Sequence, residues 1–436
     1  MRCQLFDFVV FSDLSLGGGH SLLVKHDGSV WGAGLNTFGQ LGTEPSDNGM
    51  MRTFSRVMRD GAMAVAAGSE HSLVLKQDGS LWSAGRNENG QLGDGSTTNK
   101  HTFTKVIVGE VIALAAGSEH SIAVKKGGSV WVTGSNKYSQ LGDGTTTDRS
   151  IFIPVISSGV KAVSAGNEHS MVLKEDSSLW VAGNNEHGQL GDGTEELKND
   201  FVVITSGVTA IAAGGHHSVM LKKDGSVWFT GRNTFGQLAE GSQDHKNTFS
   251  QVIGSGVKAV AAGYSCSMIL KKDGSVWTVG DNLHGQLGEG SKDETIKTFV
   301  KVKSKGAAAV AAGYAHTMLV MEDGSVWAAG WNRFGQLGDA EGTPEMELQN
   351  RFVQVAKLGD TAVEEVTEEW VPPTIPINTG PPILGDAQPL PPLRALRTRL
   401  AIASSCHIIF VTHLFHPLAT YVCTPVACTC AAGIPP

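Results

Sequence analysis

The chain has 436 residues, of which 55 are glycine and only 15 are proline. Average proteins carry about 7% glycine and about 5% proline, so this balance excludes collagen and a disordered Pro/Gly-rich chain and indicates many tight turns. The formal net charge is -8. Because a DNA phosphate backbone attracts clustered Lys and Arg, we expect no binding to DNA.

The cysteines and the N-terminus bear on location. Residues 1–370 contain Cys3 and Cys266 as their only cysteines, which is too few for a disulfide framework. The first residues form an apolar run that Asp7 interrupts, and such a run is too short for a secretory signal. We therefore expect a reducing location, the cytoplasm, with the nucleus as the alternative.

A repeat organises residues 1–370. Seven tryptophans recur at separations of 48–51 residues, and eleven residues before each lies a histidine in six units and Cys266 in one. All variation in length falls in one link per unit, as it does in the surface loops of propellers and solenoids. The tryptophans are Trp31, Trp82, Trp131, Trp180, Trp228, Trp277 and Trp327. The histidines are His20, His71, His120, His169, His217 and His316.

Each unit carries the pattern of four short strands. In the second unit an alanine-rich segment precedes His71, and the next two segments flank the pair Asp78-Gly79. An Asp-Gly pair between apolar segments is the strongest short-range hairpin signal. A fourth apolar segment lies in the link, and no stretch shows sustained helical periodicity. The pattern predicts an all-β fold, a seven-bladed β-propeller with four-stranded blades that pack on one another.

The motifs of the unit resemble those of a known family. AAG-x-x-H-S, D-G-S-V-W and G-x-N-x-x-G-Q-L-G-D-G follow one another over residues 8–366, and they resemble the regulator of chromosome condensation repeat. The resemblance implies a seven-bladed propeller whose last blade takes strands from both ends of the chain. We therefore expect residues 5–16 and 352–366 to compete for, or share, the closing blade.

The composition changes after residue 370. Residues 371–436 hold 12 of the 15 prolines and no lysine. This change predicts a propeller over residues 1–370, a Pro-rich linker over 371–399 and an uncharged apolar tail over 400–436.

Within that tail, the span from Leu400 to Val422 has the length of a membrane-crossing segment, and disorder of the tail is the alternative. This span is the one place where we expect a membrane contact. Cys423, Cys428 and Cys430 lack the paired spacing of zinc ligands, so we predict no metal there.

The residues that recur in every blade favour architecture over chemistry. A reaction centre is usually a single asymmetric constellation, so we expect the repeat histidines to pack and to hydrogen-bond the backbone of a neighbouring loop, and the tryptophans to pack between blades. Asp94, Asp143 and Asp192 offer one carboxylate per turn, without the alternating ligands of a calcium loop. The sequence shows no nucleophile elbow, phosphate-binding glycine loop or HExxH motif. We predict no metal, no cofactor and no enzyme activity.

Function is expected where the blades differ. The two variable positions of AAG-x-x-H should ring one face, which is acidic in blades two to four and aromatic or histidine-bearing in blades five to seven. A second ring follows the tryptophans. Trp, Tyr and Arg are enriched at interaction hot spots, and ordinary loop residues are the alternative. The candidate interaction patch consists of Tyr314, Trp331, Arg333, Arg232, Tyr264, Glu70, Glu119 and Glu168.

The resemblance implies two classes of function. Most propellers of this family are platforms for protein binding, while its founding member is an exchange factor for the small GTPase Ran. Here the links span 23–26 residues without a long insertion, and no basic arm precedes the first strand, which are departures from an exchange factor. We predict a monomeric, non-catalytic scaffold with protein partners. The alternative is guanine-nucleotide exchange on a Ran-like small GTPase.

Overall fold

The computed structural model describes residues 14–339 and 348–358, and these ranges form seven antiparallel sheets of four strands each. Every sheet uses four strands that are consecutive in the sequence, and the ends of the seven first strands meet around one axis. The predicted seven-bladed β-propeller is therefore confirmed. The predicted linker and tail, residues 371–399 and 400–436, lie outside the described residues.

Blade 1 contains β1 (Leu14–Leu16), β2 (His20–Val24), β3 (Val30–Leu35) and β4 (Met50–Met58). Blade 2 contains β5 (Ala62–Ala67), β6 (His71–Lys76), β7 (Leu81–Gly85) and β8 (Lys100–Ile107). Blade 3 contains β9 (Val111–Ala116), β10 (His120–Lys125), β11 (Ser129–Gly134) and β12 (Arg149–Ile156), and blade 4 contains β13 (Val160–Ala165), β14 (His169–Lys174), β15 (Leu179–Gly183) and β16 (Lys198–Thr205). Blade 5 contains β17 (Val208–Ala213), β18 (His217–Lys222), β19 (Val227–Gly231) and β20 (Lys246–Ile253). Blade 6 contains β21 (Val257–Ala262), β22 (Cys266–Lys271), β23 (Val276–Asp281) and β24 (Thr295–Lys303). Blade 7 contains β25 (Ala307–Ala312), β26 (His316–Met321), β27 (Ser325–Trp331) and β28 (Leu348–Lys357).

The D-G-S-x-W motif forms the hairpin between the second and third strands of a blade. In blade 2, Gly79 has a φ of 76°, a left-handed conformation that glycine adopts without a steric penalty. Ser80 donates its hydroxyl hydrogen to Asp78 at 2.5 Å and accepts the indole N–H of Trp82 at 2.9 Å. The hydrogen bonds from Ser80 hold the pKa of Asp78 below its usual range. The motif is therefore a self-contained turn that also orients the tryptophan.

The hydrophobic core lies between the blades. Leu22 and Leu41 of blade 1 cluster with Val65 and Val74 of blade 2, and Trp82 packs against them. A cluster of this kind lies at each of the other six junctions. Because burial of one Leu or Val side chain contributes about 1.5–3 kcal/mol, most of the stabilising contacts of a blade depend on its neighbours.

The ring closes by packing of blade 7 against blade 1. Strand β28 pairs with β27 in blade 7, whereas β1 pairs with β2 in blade 1. The expected pairing of strands from both chain ends in one blade is therefore wrong for the described residues. The reason is that the segment around Phe352 supplies the outer strand that blade 7 needs. Leu14 and Leu16 of β1 are buried against Met318 and Val320 of β26. Residues 5–13 and 359–366 lie outside the described residues.

Candidate interaction face

The repeat histidines link neighbouring blades. Nε2 of His20 in blade 1 lies 2.8 Å from Oγ of Ser72 in blade 2, and Ser72 donates to the Gln40 carbonyl at 2.6 Å. Because Gln40 takes the hydroxyl hydrogen, Nε2 of His20 must carry a hydrogen and donate it to Ser72. The partner is thus a hydroxyl, where the sequence suggested backbone. Equivalent bonds join His71 to Ser121, His120 to Ser170, His169 to Ser218, His217 to Ser267 and His316 to Ser21.

Burial keeps these histidines neutral. The loss of hydration lowers the pKa to about 3 for His20, His120, His169, His217 and His316, and to about 4 for His71. Each ring is fully buried, so no substrate in solution reaches it. The hydrogen-bonding and packing contacts of these rings serve the blade junctions.

Blade 6 departs from this arrangement. Cys266 occupies the histidine position, and burial raises the pKa of its thiol to about 12. Thr317 of blade 7 stands where the other blades have serine, and its hydroxyl still donates to the Gln286 carbonyl at 2.6 Å. The junction between blades 6 and 7 therefore keeps the bond to the glutamine carbonyl without the imidazole bond.

The acidic turns use their carboxylates internally. Asp94 accepts the Ser96 backbone N–H at 2.9 Å and the Asn87 side-chain amide at 3.1 Å, and it lies 3.2 Å from Nζ of Lys100. Asp143 and Asp192 make equivalent bonds within their own turns. Among the residues that the structure describes, no group of three or more His, Cys, Asp or Glu side chains is arranged to hold a metal ion.

Two loops of every blade meet on one face of the propeller. One loop joins the first and second strands, and the other follows the third strand. In blade 5 the backbone N–H of Arg232 in the second loop donates to the His216 carbonyl in the first at 2.8 Å, and all seven blades have the corresponding bond. The two predicted rings of variable residues therefore lie side by side on this surface, which we call the loop face.

The loop face is acidic over blades 2 to 4. The guanidinium of Arg86 lies 2.9 Å from Glu70, 2.6 Å from Glu88 and 3.8 Å from Glu119. In blade 4, Glu168 accepts a hydrogen bond from the Asn184 amide at 2.7 Å. The structure thus brings Glu70 and Glu119 together around one arginine, and the carboxylates outnumber the nearby cation.

The loop face is aromatic over blades 6 and 7. The rings of Tyr264 and Tyr314 have centroids 4.2 Å apart, and Tyr314 is 46% exposed. His284 of blade 6 stacks on Trp331 of blade 7 with centroids 5.3 Å apart. Arg333 is exposed beside Trp331. Trp331 is therefore partly packed within the loop face, while Tyr314 and Arg333 are exposed to solvent.

A third ring on this face was missed in the sequence. Its members stand two residues before each repeat glutamine, and their backbone N–H groups donate to the glutamine Oε1 at 2.9–3.0 Å. Some of the side chains reach the next blade, as His284 does toward Trp331 and His187 toward His216. The sequence does contain a signal for this ring, because six of the seven equivalent positions hold an aromatic ring or an imidazole. The members are Phe38, Asn89, Tyr138, His187, Phe235, His284 and Phe334.

The sequence predicts one membrane span, from Leu400 to Val422. Within residues 14–339 and 348–358, no helix has the length and hydropathy that a bilayer crossing requires. Leu400 to Val422, together with Cys423, Cys428 and Cys430, lies outside the described residues.

Family comparisons agree with the blade pattern. Residues 109–369 match the family described as the RCC1-like domain, and this range is more than half of the chain. Residues 11–40, 64–91 and 78–124 match the regulator of chromosome condensation (RCC1) repeat.

Solved structures share the fold at low sequence identity. Human WBSCR16 is similar with a TM-score of 0.64 and 24% identity, over 71% of this chain and 86% of that chain. Prp20p from Saccharomyces cerevisiae, a protein with binding properties to Gsp1p and histones, is similar with a TM-score of 0.67 and 22% identity, over 76% of this chain and 86% of that chain. At these identities the likeness shows the fold.

Curated relatives match one part of the chain. The probable E3 ubiquitin-protein ligase HERC4 from Homo sapiens is 30% identical over 93 residues, which are 21% of this chain and 9% of the ligase. The secretion-regulating guanine nucleotide exchange factor from Bos taurus is 35% identical over 94 residues, which are 21% of this chain and 20% of that protein. The match thus spans a fifth or less of the length of these relatives.

Proposed function

The chain belongs to the RCC1-like domain family, and from that premise we propose that it is a non-catalytic propeller that binds a partner protein on its loop face. The observation that carries the proposal is the division of this face into an acidic sector around Arg86 and an aromatic sector around Trp331 and Tyr314. The repeated residues are alike from blade to blade, so selectivity for one partner has to come from this asymmetry.

The aromatic sector has the properties of a binding anchor. Tyr314 is 46% exposed and Leu283 is 56% exposed, and Tyr314 is held in place by Tyr264 at a centroid distance of 4.2 Å. Aromatic side chains that are already held lose little conformational freedom on association. Exposed Trp, Tyr and Arg are also the residue types that contribute most to binding free energy at interfaces.

The acidic sector supports a partner that has basic residues facing it. Glu70, Glu88 and Glu119 place three carboxylates around a single guanidinium, and Glu168 adds a fourth carboxylate in blade 4. Complementary charge of this kind raises association rates and fixes the orientation of the partner.

The test is a quantitative affinity purification with the full chain as bait. We expect Trp331→Ala plus Arg333→Ala to reduce recovery of the specific partner at least about tenfold, since hot-spot truncations cost roughly 2 kcal/mol or more. Val108→Ala plus Lys126→Ala is the matched control, because these residues lie in the link and hairpin turn of the opposite face and Val108 is 83% exposed. Equal recovery with all three baits contradicts the proposal.

Nucleotide exchange on a Ran-like small GTPase is the second candidate. Its support is the similarity to the bovine exchange factor and to Prp20p. The assay follows release of a fluorescent guanine nucleotide from the GTPase. Acceleration by substoichiometric amounts of the chain would establish exchange and replace the scaffold proposal, whereas an unchanged release rate supports the scaffold.

A further inference from the structure

Arginines occupy the same position of the loop face in blades 2 and 5. In blade 2, Arg86 has a carboxylate at each of three neighbouring positions: Glu70, which lies 16 residues earlier, Glu88, which lies two residues later, and Glu119 in the next blade. All three carboxylates lie within 4 Å of the guanidinium. The positive charge of Arg86 is thus compensated inside the protein.

In blade 5 the corresponding arginine has no such compensation from the residues that the structure describes. The three equivalent positions around Arg232 hold His216, Thr234 and Ser265. Its Nε donates to Oγ1 of Thr234 at 3.0 Å, and its guanidinium carbon lies 6.0 Å from the centroid of the Phe235 ring. No described carboxylate lies within the ion-pairing distance of 4 Å. Within the part of the chain that the structure describes, Arg232 is therefore a half-buried cation without an ion-pair partner.

Three imidazoles gather beside this arginine. The ring of His187 lies 5.4 Å from that of His216 and 5.1 Å from that of His245, centroid to centroid. Nε2 of His245 lies 3.4 Å from Oγ1 of Thr234, the same oxygen that Arg232 binds. Nδ1 of His216 is buried and has no hydrogen-bond partner among the described residues. We call Arg232, Thr234, His187, His216 and His245 the basic cluster.

Burial and neighbouring positive charges oppose the protonation of His187 and His216. Burial, His245 and Arg232 lower the pKa of His187, while Glu186 and Glu195 act in the opposite direction. Burial, His187 and Arg232 lower the pKa of His216 to about 4, with Glu186 acting against them. An anion placed among these groups acts against this lowering of the pKa, because it favours the protonated forms of His187 and His216. An anion bound at the basic cluster should therefore promote proton uptake by His187 and His216.

We propose that the basic cluster binds the phosphoryl group of a phosphorylated segment of a partner protein. The donors come from two loops of blade 5 and from the preceding blade, and this spread suits a tetrahedral oxyanion with three terminal oxygens better than a planar carboxylate. Tyr264 lies next to the cluster, with its ring 5.9 Å from that of His216. The aromatic sector thus adjoins the cluster and offers an apolar surface to residues that flank the phosphorylated side chain.

The proposal rests on the proposed function in one respect, that the ligand belongs to a protein. The cluster itself is tested with small anions and the full chain, by calorimetric titration with inorganic phosphate, sulfate and acetate at constant ionic strength. We expect phosphate and sulfate to bind at one site and acetate to bind at least about tenfold more weakly, because a carboxylate offers fewer acceptor oxygens to the charged donors. Acetate binding as tight as sulfate binding contradicts the phosphoryl assignment.

Matched variants locate the site. Arg232→Gln should weaken sulfate binding at least about tenfold, because a charge-assisted hydrogen bond contributes more than a neutral one. Arg86→Gln, at the same position of blade 2, should leave the affinity within about twofold. Melting temperatures near that of the wild type establish that both variants are folded. Equal affinities of the two variants, or an equal loss in both, would overturn the assignment.

The pH dependence provides an independent readout. The charge of sulfate is constant between pH 8 and pH 6, so any change in its affinity reports protonation of the protein. Since the bound anion favours protonated His187 and His216, affinity should rise as the pH falls across this range. His187→Ala should reduce this slope. A constant affinity across the range contradicts the coupling.

A phosphoserine peptide separates the two proposals. A short peptide with phosphoserine should displace sulfate, and its unphosphorylated counterpart should not. Displacement together with unchanged partner recovery by the Trp331→Ala plus Arg333→Ala bait would reject the proposed function and keep the phosphoryl site. Loss of recovery without any sulfate or phosphopeptide binding would reject the phosphoryl site and keep the proposed function.

Discussion

At the scale of single residues, the histidine-serine pairs show how a polar group is used inside a closely packed ring. His20 donates to Ser72, which in turn donates to the Gln40 carbonyl, so the hydroxyl both accepts and donates. A buried polar group that keeps its partners avoids a desolvation cost of about 1–3 kcal/mol. The same three positions recur at six junctions, and blade 6 is the exception because of Cys266 and Thr317.

The exception at Cys266 can be converted to the common arrangement. Cys266→His combined with Thr317→Ser should raise the free energy of unfolding by about 1 kcal/mol, because it adds one buried hydrogen bond while keeping the bond to Gln286. Urea unfolding of the double variant and of Cys266→His alone measures this gain. A double variant less stable than the wild type would show that the surroundings of blade 6 do not accept an imidazole.

At the scale of elements, the first strand contributes to the closure of the ring. Two of the residues that the structure describes in β1, Leu14 and Leu16, are leucines with buried side chains. Its two leucines fill the space between blade 1 and blade 7, and the bond between His316 and Ser21 spans the same junction at 2.9 Å. The junction between blades 7 and 1 thus has the same kinds of contact as the other junctions. The described strands of the two blades belong to separate sheets.

Truncation of β1 should therefore weaken the whole propeller. Leu16 is buried, and Leu16→Ala should lower the free energy of unfolding by about 2–3 kcal/mol through lost burial and the cavity that remains. Leu348 in β28 is 45% exposed, so Leu348→Ala is the control and should change stability by less than about 0.5 kcal/mol. Calorimetric melting of both variants measures the difference. Equal melting temperatures would show that β1 does not contribute to closure.

At the scale of the whole molecule, the six buried histidines make stability depend on pH. Their pKa values of about 3 to 4 in the folded protein lie below the ordinary value near 6.5. Between pH 6.5 and pH 4 the unfolded chain therefore binds more protons than the folded chain, and stability falls as the pH falls.

Acidification should thus unfold the propeller well above the pH at which its carboxylates titrate. Each buried histidine should lower the free energy of unfolding by about 1.4 kcal/mol for each pH unit below 6.5. Summed over the six histidines, the loss between pH 7.5 and pH 5.5 amounts to several kcal/mol. Urea unfolding at these two pH values measures the loss. An unchanged midpoint would mean that the histidines are protonated in the folded state or already neutral in the unfolded one.

Most of the fold was predictable from the sequence because each blade repeats the same local signals. The Asp-Gly turn and the fixed spacing between His71 and Trp82 determine strand order in each unit without knowledge of distant contacts. Closure was not predictable in this way, since β1 lacks the alanine-rich pattern of the other first strands and its role depends on packing against blade 7.

The candidate face was predictable in part. Equivalent positions had to form rings, so the acidic residues and the aromatic residues could be assigned to sectors before their contacts were known. The difference between Arg86 and Arg232 could not be foreseen, because the two are identical in type and position. Whether the positive charge of each is compensated depends on neighbours such as Glu119 and Ser265, which come from the next blade.

The central claim is that the repeated residues hold the ring while the variable residues of the loop face bind the partner. One experiment measures melting temperature and partner recovery for two variants. His120→Ala should lower the melting temperature, because it removes a buried hydrogen bond and leaves a cavity, and should keep the partner below that temperature. Trp331→Ala plus Arg333→Ala should lower the melting temperature less than His120→Ala does and should lose the partner. The account would be contradicted if His120→Ala lost the partner while Trp331→Ala plus Arg333→Ala kept it, because partner recovery would then follow stability and not the loop face.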